Sequence, residues 1–102
     1  MKVYWSKSSI RDLENIHAYI AADSTTYANR FIARLIHSVE AAESFPKSGR
    51  KVPEIQDDAL REFLVENYRV IYRIEKDQIF VITVVHAARD LSRLEDKPWE
   101  AE

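Results

Sequence analysis

The stretch "FVITVVHAARD", Phe80 to Asp90, closes a run of β-favouring residues with an imidazole, a guanidinium and a carboxylate: His86, Arg89 and Asp90. An imidazole moves protons near neutral pH, and a carboxylate such as Glu54 beside it would complete an acid and base pair. Arg69 and Arg73 lie four apart, so on a strand they share a face, and Arg61 joins them from the neighbouring strand if the register allows. Guanidinium forks grouped in this way suit phosphate or carboxylate. Glu54, Arg69 and His86 would then supply base, phosphate clamp and acid for cleavage of RNA through its 2′-hydroxyl. Each group also has a plainer reading. The arginines could pair with Glu62, Glu66 or Glu75 on a solvated sheet face, His86 could close a strand end by hydrogen bonding, and Arg89 with Asp90 could form a local ion pair. No spacing rule brings Glu54 to His86.

Other chemistries are poorly served. A cysteine count of zero excludes disulfides, thiolate nucleophiles and cysteine metal sites. His17 and His37 fall on separate helices without an HExxH pattern, so no metal is expected, and no cofactor. There is no GxGxxG, P-loop or GxSxG, and a single glycine makes a nucleotide cradle implausible. Trp5, Tyr68, Tyr72 and Trp99 are candidate stacking platforms for bases. Tyr72 shares its face with Val70 and Ile74 and reads as core, while Trp99 stays open between the two roles. With Lys+Arg 15 against Asp+Glu 17, any nucleic-acid contact would need a local basic patch rather than the overall field.

The elements that must position these groups follow from pattern. A chain of 102 residues with 46% hydrophobic content fits one domain. Val3 to Trp5 alternates as a short strand. Ser8 or Ser9 can cap a first helix over about 9–22, carrying Ile10, Leu13, Ile16, His17 and Ile20 at helical spacing. Asp23 and Ser24 cap a second, with the stripe Ala28, Phe31, Leu35, Val39 and Ala42 running toward Pro46. "PKSGRKVPEIQDD" reads as a loop. Strands over Arg61–Val65, Tyr68–Ile74 and Gln78–His86 should form an antiparallel meander, the last a central strand because both its faces are apolar. Residues 93–102 read as a loosely held tail. The order gives an α+β fold, a helical hairpin covering one face of a sheet whose other face is free. No apolar run approaches the roughly 18 residues of a membrane span and no signal peptide is apparent, so a cytoplasmic protein without membrane contact is expected.

Several stretches taken in order, an early Trp5, "DLENIHAYI", "GRKVPE", "LREF", "YRVIYRI" and "VVHAARD", resemble the RelE/ParE superfamily of type II toxin–antitoxin toxins over roughly positions 3 to 92. The resemblance implies the same fold and a cognate antitoxin, with a toxin–antitoxin hetero-oligomer. It also implies one of two activities. ParE-like members inhibit DNA gyrase and have no established hydrolytic site; RelE-like members cut mRNA on the ribosome. "GRKVPE" and "HAARD" are similar to the ParE-like pattern, where the latter usually reads His-Gly-x-Arg-Asp; Ala87 replaces the glycine here. Taking the arginine pattern and the resemblance together, the expected binding residues are Arg50, Arg61, Arg69, Arg73, His86 and Arg89. Under the RelE-like alternative Glu54 would be the base, Arg69 the phosphate contact and His86 the acid. A decayed member that only binds antitoxin is a third expectation.

Overall fold

The computed structural model describes residues 1–95 and 97–100. Strand β1 (Lys2–Trp5) leads into helices α1 (Lys7–Ala21) and α2 (Thr25–Glu40), followed by β2 (Arg50–Lys51), β3 (Leu60–Val65), β4 (Tyr68–Ile74) and β5 (Gln78–His86). Among the described residues these strands form one sheet in the order β1-β5-β4-β3-β2. β1 runs parallel to β5, and the remaining neighbours are antiparallel. The α+β layout and the meander are as expected, and β5 is an interior strand. Strand β2 is an addition: two residues inside the expected loop are too few to carry a period-two signal.

The first helix begins earlier than expected, because Ser6 rather than Ser8 or Ser9 caps it. The Ser6 hydroxyl accepts from Ser9 N at 2.9 Å and donates to the Ile82 carbonyl at 2.8 Å, so one side chain satisfies a helix end and fixes it to β5. Ser24 caps α2, accepting from Tyr27 N at 3.1 Å. Ala28, Phe31, Leu35 and Val39 then face inward, and Ala42 continues the stripe in a 3-10 turn. Helices and sheet close over Ile16, Phe31, Leu35, Val39, Val70, Tyr72, Ile79 and Val81, each large apolar side chain worth roughly 1.5–3 kcal/mol when fully buried.

The opposite sheet face is not free. Val52, Leu60, Ile71, Ile82, Leu91 and Trp99 make a second, smaller core there, contributed by the segment before β3 and the chain after β5. The expectation of a loose tail over 93–102 fails at Trp99: its indole is buried, and its carbonyl accepts from Arg73 Nη2 at 2.7 Å. Ala101 and Glu102, at the end of that stretch, lie outside the described residues. Gly49 is required by close approach, since a Cβ there would stand 2.5 Å from the Tyr72 hydroxyl. That hydroxyl is buried, donates to the Pro46 carbonyl at 2.6 Å and accepts from Gly49 N at 3.0 Å.

Candidate functional site

The period of two sends Arg69, Ile71 and Arg73 to the sheet face away from the helices. Residues directly opposite on antiparallel strands share a face, so Glu62, opposite Ile71, and Arg50, opposite Glu62, join them. Arg69 is only 3% exposed. Its Nε donates to Glu62 Oε1 at 2.7 Å, while Nη1 and Nη2 grip Glu54 as a fork at 2.7 and 2.6 Å. Nη1 also donates to the Arg89 carbonyl at 3.2 Å, and Glu54 Oε2 accepts from Leu91 N at 3.1 Å. Glu62, with a side chain fully removed from solvent, takes its second partner from Arg50 Nε at 2.5 Å. The result is an alternating chain, Arg50–Glu62–Arg69–Glu54, that ends on the segment leaving β5.

This arrangement sets the chemistry of Glu54. The Arg69 guanidinium, aided by Leu91 N–H against the opposing cost of burial, holds its carboxyl down at about 2. A carboxylate so weakly basic, with its lone pairs already engaged, is poorly suited to take a proton near neutral pH. Arg69 is in turn held further toward its charged form by Glu54, then by Glu62, against burial. Its five N–H donors are largely committed within the protein, which leaves little for a phosphate.

His86 stands apart from this network. It pairs across the sheet with Tyr68, whose ring packs on Phe31 of α2 at 5.5 Å, so the imidazole lies on the helix side. It meets the Tyr68 ring edge-on at 5.6 Å, and its Nδ1 accepts from Ala88 N at 3.1 Å. Its outer edge is exposed, as are Ala87, Ala88, Arg89 and Asp90 after it. The structure therefore brings Glu54 and Arg69 together and places His86 on the other face.

The remaining arginines are distributed rather than clustered. Arg61 lies opposite Tyr72 and so cannot reach Arg69 and Arg73; the register excludes the expected trio, and its guanidinium instead approaches the Asp58 and Gly49 carbonyls at 3.3 and 3.4 Å. Arg73 pairs with Asp57 at 3.2 Å. Arg50 keeps half its side chain in solvent, and Arg89 is exposed, its side chain without an ion-pair partner among the described residues. Asp90 does not pair with Arg89. Its carboxyl accepts from the Ser92 hydroxyl and amide at 2.7 and 3.0 Å, which hold it below the usual carboxylate range.

Two participants were hard to find by pattern. Glu62 figured only as one of three alternative partners for the arginines; its place between Leu60 and Leu64 on a face shared with Arg69 was the available signal. Asp12 opens the stretch "DLENIHAYI" but has no chemical role in the sequence reading, yet it accepts from Thr83 Oγ1 at 2.7 Å and Val84 N at 2.9 Å. It thereby braces the point where β5 carries an extra residue, since Ile71 faces Thr83 and Tyr72 faces Val81.

Comparison with known proteins agrees with this architecture. A solved structure described as "Chromosomal ParDE TA system from P. aeruginosa" superposes with a TM-score of 0.71 at 16% identity, covering 84% of this chain and 95% of that chain; at such identity the likeness concerns the fold alone. A curated relative from Sinorhizobium fredii (strain NBRC 101917 / NGR234), named "Putative toxin Y4kP", is 33% identical over 88 residues, 84% of this chain and 88% of the relative. The family model for the ParE toxin of type II toxin–antitoxin systems, parDE, matches residues 3–91. With that match across most of its length, the chain belongs to the ParE toxin family of type II toxin–antitoxin systems.

Proposed function

We propose that this toxin acts by binding, with DNA gyrase as its target, and that a cognate antitoxin neutralises it in the cytoplasm as a toxin–antitoxin hetero-oligomer. The observation that carries the reading is the separation of Glu54 from His86. Ribosome-dependent cleavage would need a base, an acid and a phosphate clamp in one open cleft. Here Glu54 and Arg69 consume one another on one sheet face, and His86 sits on the other. The ParE-type stretches "GRKVPE" and "HAARD" favour gyrase as the target, and the exposed residues His86 to Asp90, together with Arg50, form the proposed contact surface.

Two surfaces fit an antitoxin segment that orders on binding. A shallow groove between the helices is lined by Leu13, Glu14, His17 and Ile32, with exposed Ile10 and Ile36 on the same two helices. The outer edge of β3 is met by β2 at Arg61 and Glu62, and among the described residues no strand pairs with the outer edge of Phe63–Val65, which is open to an added strand.

Expression of the chain without antitoxin, with DNA and protein synthesis followed separately, tests the reading. DNA synthesis should stop first, with filamentation, while translation continues. Immediate loss of translation with transcripts cut at codons would overturn it in favour of the endonuclease.

A further inference from the structure

The chain of charges on the covered sheet face has no evident need to be ionic. Isolated pairs buried this deeply recover little net stability, because desolvation of each ion offsets most of the attraction, and well-packed apolar groups of similar size often do as well or better. What apolar groups cannot reproduce is direction. Arg69 donates to the Arg89 carbonyl and Glu54 accepts from Leu91 N, so two adjacent members of the network are hydrogen-bonded to the backbone on either side of Asp90. Glu62 fixes the guanidinium from behind: fully enclosed, it holds Nε at 2.7 Å and is itself anchored by Arg50. Among the described residues no buried side-chain polar atom is left without a partner, so the network is satisfied as built.

We infer that Glu62 is a positioning residue, acting through Arg69 and Glu54 to hold the exposed His86–Asp90 segment, which is anchored at buried Leu91, in the conformation that meets the target. The role of that segment rests on the reading of this chain as a binding toxin. The positioning does not. Glu62 itself has no surface to offer a partner. Its effect travels through a guanidinium whose fork must satisfy a strand carboxylate and a loop carboxylate at once, a geometry a lysine cannot copy. Three elements are thereby tied to the Arg69 ion: the segment before β3 through Glu54, the sheet through Glu62, and the chain after β5 through the Arg89 carbonyl, with Leu91 N held one step further on by Glu54.

The test compares the wild-type chain with Glu62→Gln, Arg69→Lys and the apolar triple variant Glu54→Leu/Glu62→Leu/Arg69→Met. Three quantities are read on each purified protein: thermal midpoint, native-state amide exchange, and inhibition of gyrase supercoiling. The Leu91 amide reports the network, and the Val84 amide, held by Asp12 outside it, serves as the internal control. The triple variant should melt within a few degrees of wild type and keep Val84 protected. Its Leu91 amide should exchange about tenfold faster or more, with inhibition lost by a similar factor. Arg69→Lys and Glu62→Gln should shift the same amide in the same direction by less. Unchanged Leu91 exchange in the folded variants would overturn the inference. So would a triple variant that fails to fold, or loses Val84 and Leu91 protection together, since the charges would then hold the fold rather than the segment. If wild type does not inhibit gyrase while the exchange pattern appears as expected, the positioning stands and the target assignment fails.

Discussion

At the scale of single residues, Glu54 shows how partners decide what a carboxylate can do. As a carboxylate that could pair with His86 it is a candidate base; its geometry makes it the clamped partner of Arg69. The same clamp has a signature in stability. Its folded value of about 2 lies below the ordinary 4.5, so the stabilisation is complete above pH 4.5 and disappears as pH falls through 2. On the order of 3 kcal/mol is at stake at most. Equilibrium denaturation between pH 5 and pH 2 should therefore show a steep acid limb that Glu54→Gln flattens, with the variant less stable than wild type near neutrality. An identical pH dependence in the two proteins would remove the ion pair from the explanation. His86 has the opposite lesson, since its exposed position and backbone contact match the plain reading of a strand-closing histidine.

At the scale of elements, the long strands and the α2 stripe were legible because burial on one or both faces imposes a period that the sequence must obey. The misplacements have physical causes. The start of α1 moved from Ser8 or Ser9 to Ser6 because the cap is chosen by contact with β5, 76 positions away in sequence, rather than by local preference. Strand β2 was invisible at two residues, and the cover over the second sheet face depends on Leu91 together with Trp99, the latter arriving from a stretch whose composition resembles a tail. Arg61 joins the arginine cluster only if the register allows, and the register places it on the other side. Ser6→Ala removes the helix cap and the Ile82 anchor together, so we expect a loss of about 1–3 kcal/mol by chemical denaturation. A loss no greater than for Ser8→Ala, where no such contact exists, would contradict the assignment of the cap.

At the scale of the whole molecule, one sheet separates two kinds of work. The helix side supplies most of the hydrophobic core and the groove we propose for an antitoxin, and the far side uses a small core and an ion network to hold the chain that leaves β5. Family and fold were readable from ordered motifs spread over the chain, because those motifs mark the first helix, the strands and the turns of this architecture. The shared face of Arg69 and Arg73 was readable from their alternation with Val70, Tyr72 and Ile74, whereas the faces of Arg61 and His86 relative to them were not, since a single register step exchanges the faces. The separation also bears on mechanism. Proton transfer by a positioned histidine is worth on the order of a hundredfold to ten-thousandfold in rate, whereas one exposed polar contact in an interface typically contributes about 1–3 kcal/mol. The decisive measurement is inhibition of gyrase supercoiling by purified wild-type chain and His86→Gln, with melting followed in parallel and cut transcripts assayed in a translating extract. Binding predicts that both folded proteins inhibit supercoiling, the variant within roughly tenfold to a hundredfold of wild type, and that neither cuts RNA. Absence of inhibition by wild type, with ribosome-dependent transcript cleavage that His86→Gln abolishes, would contradict it.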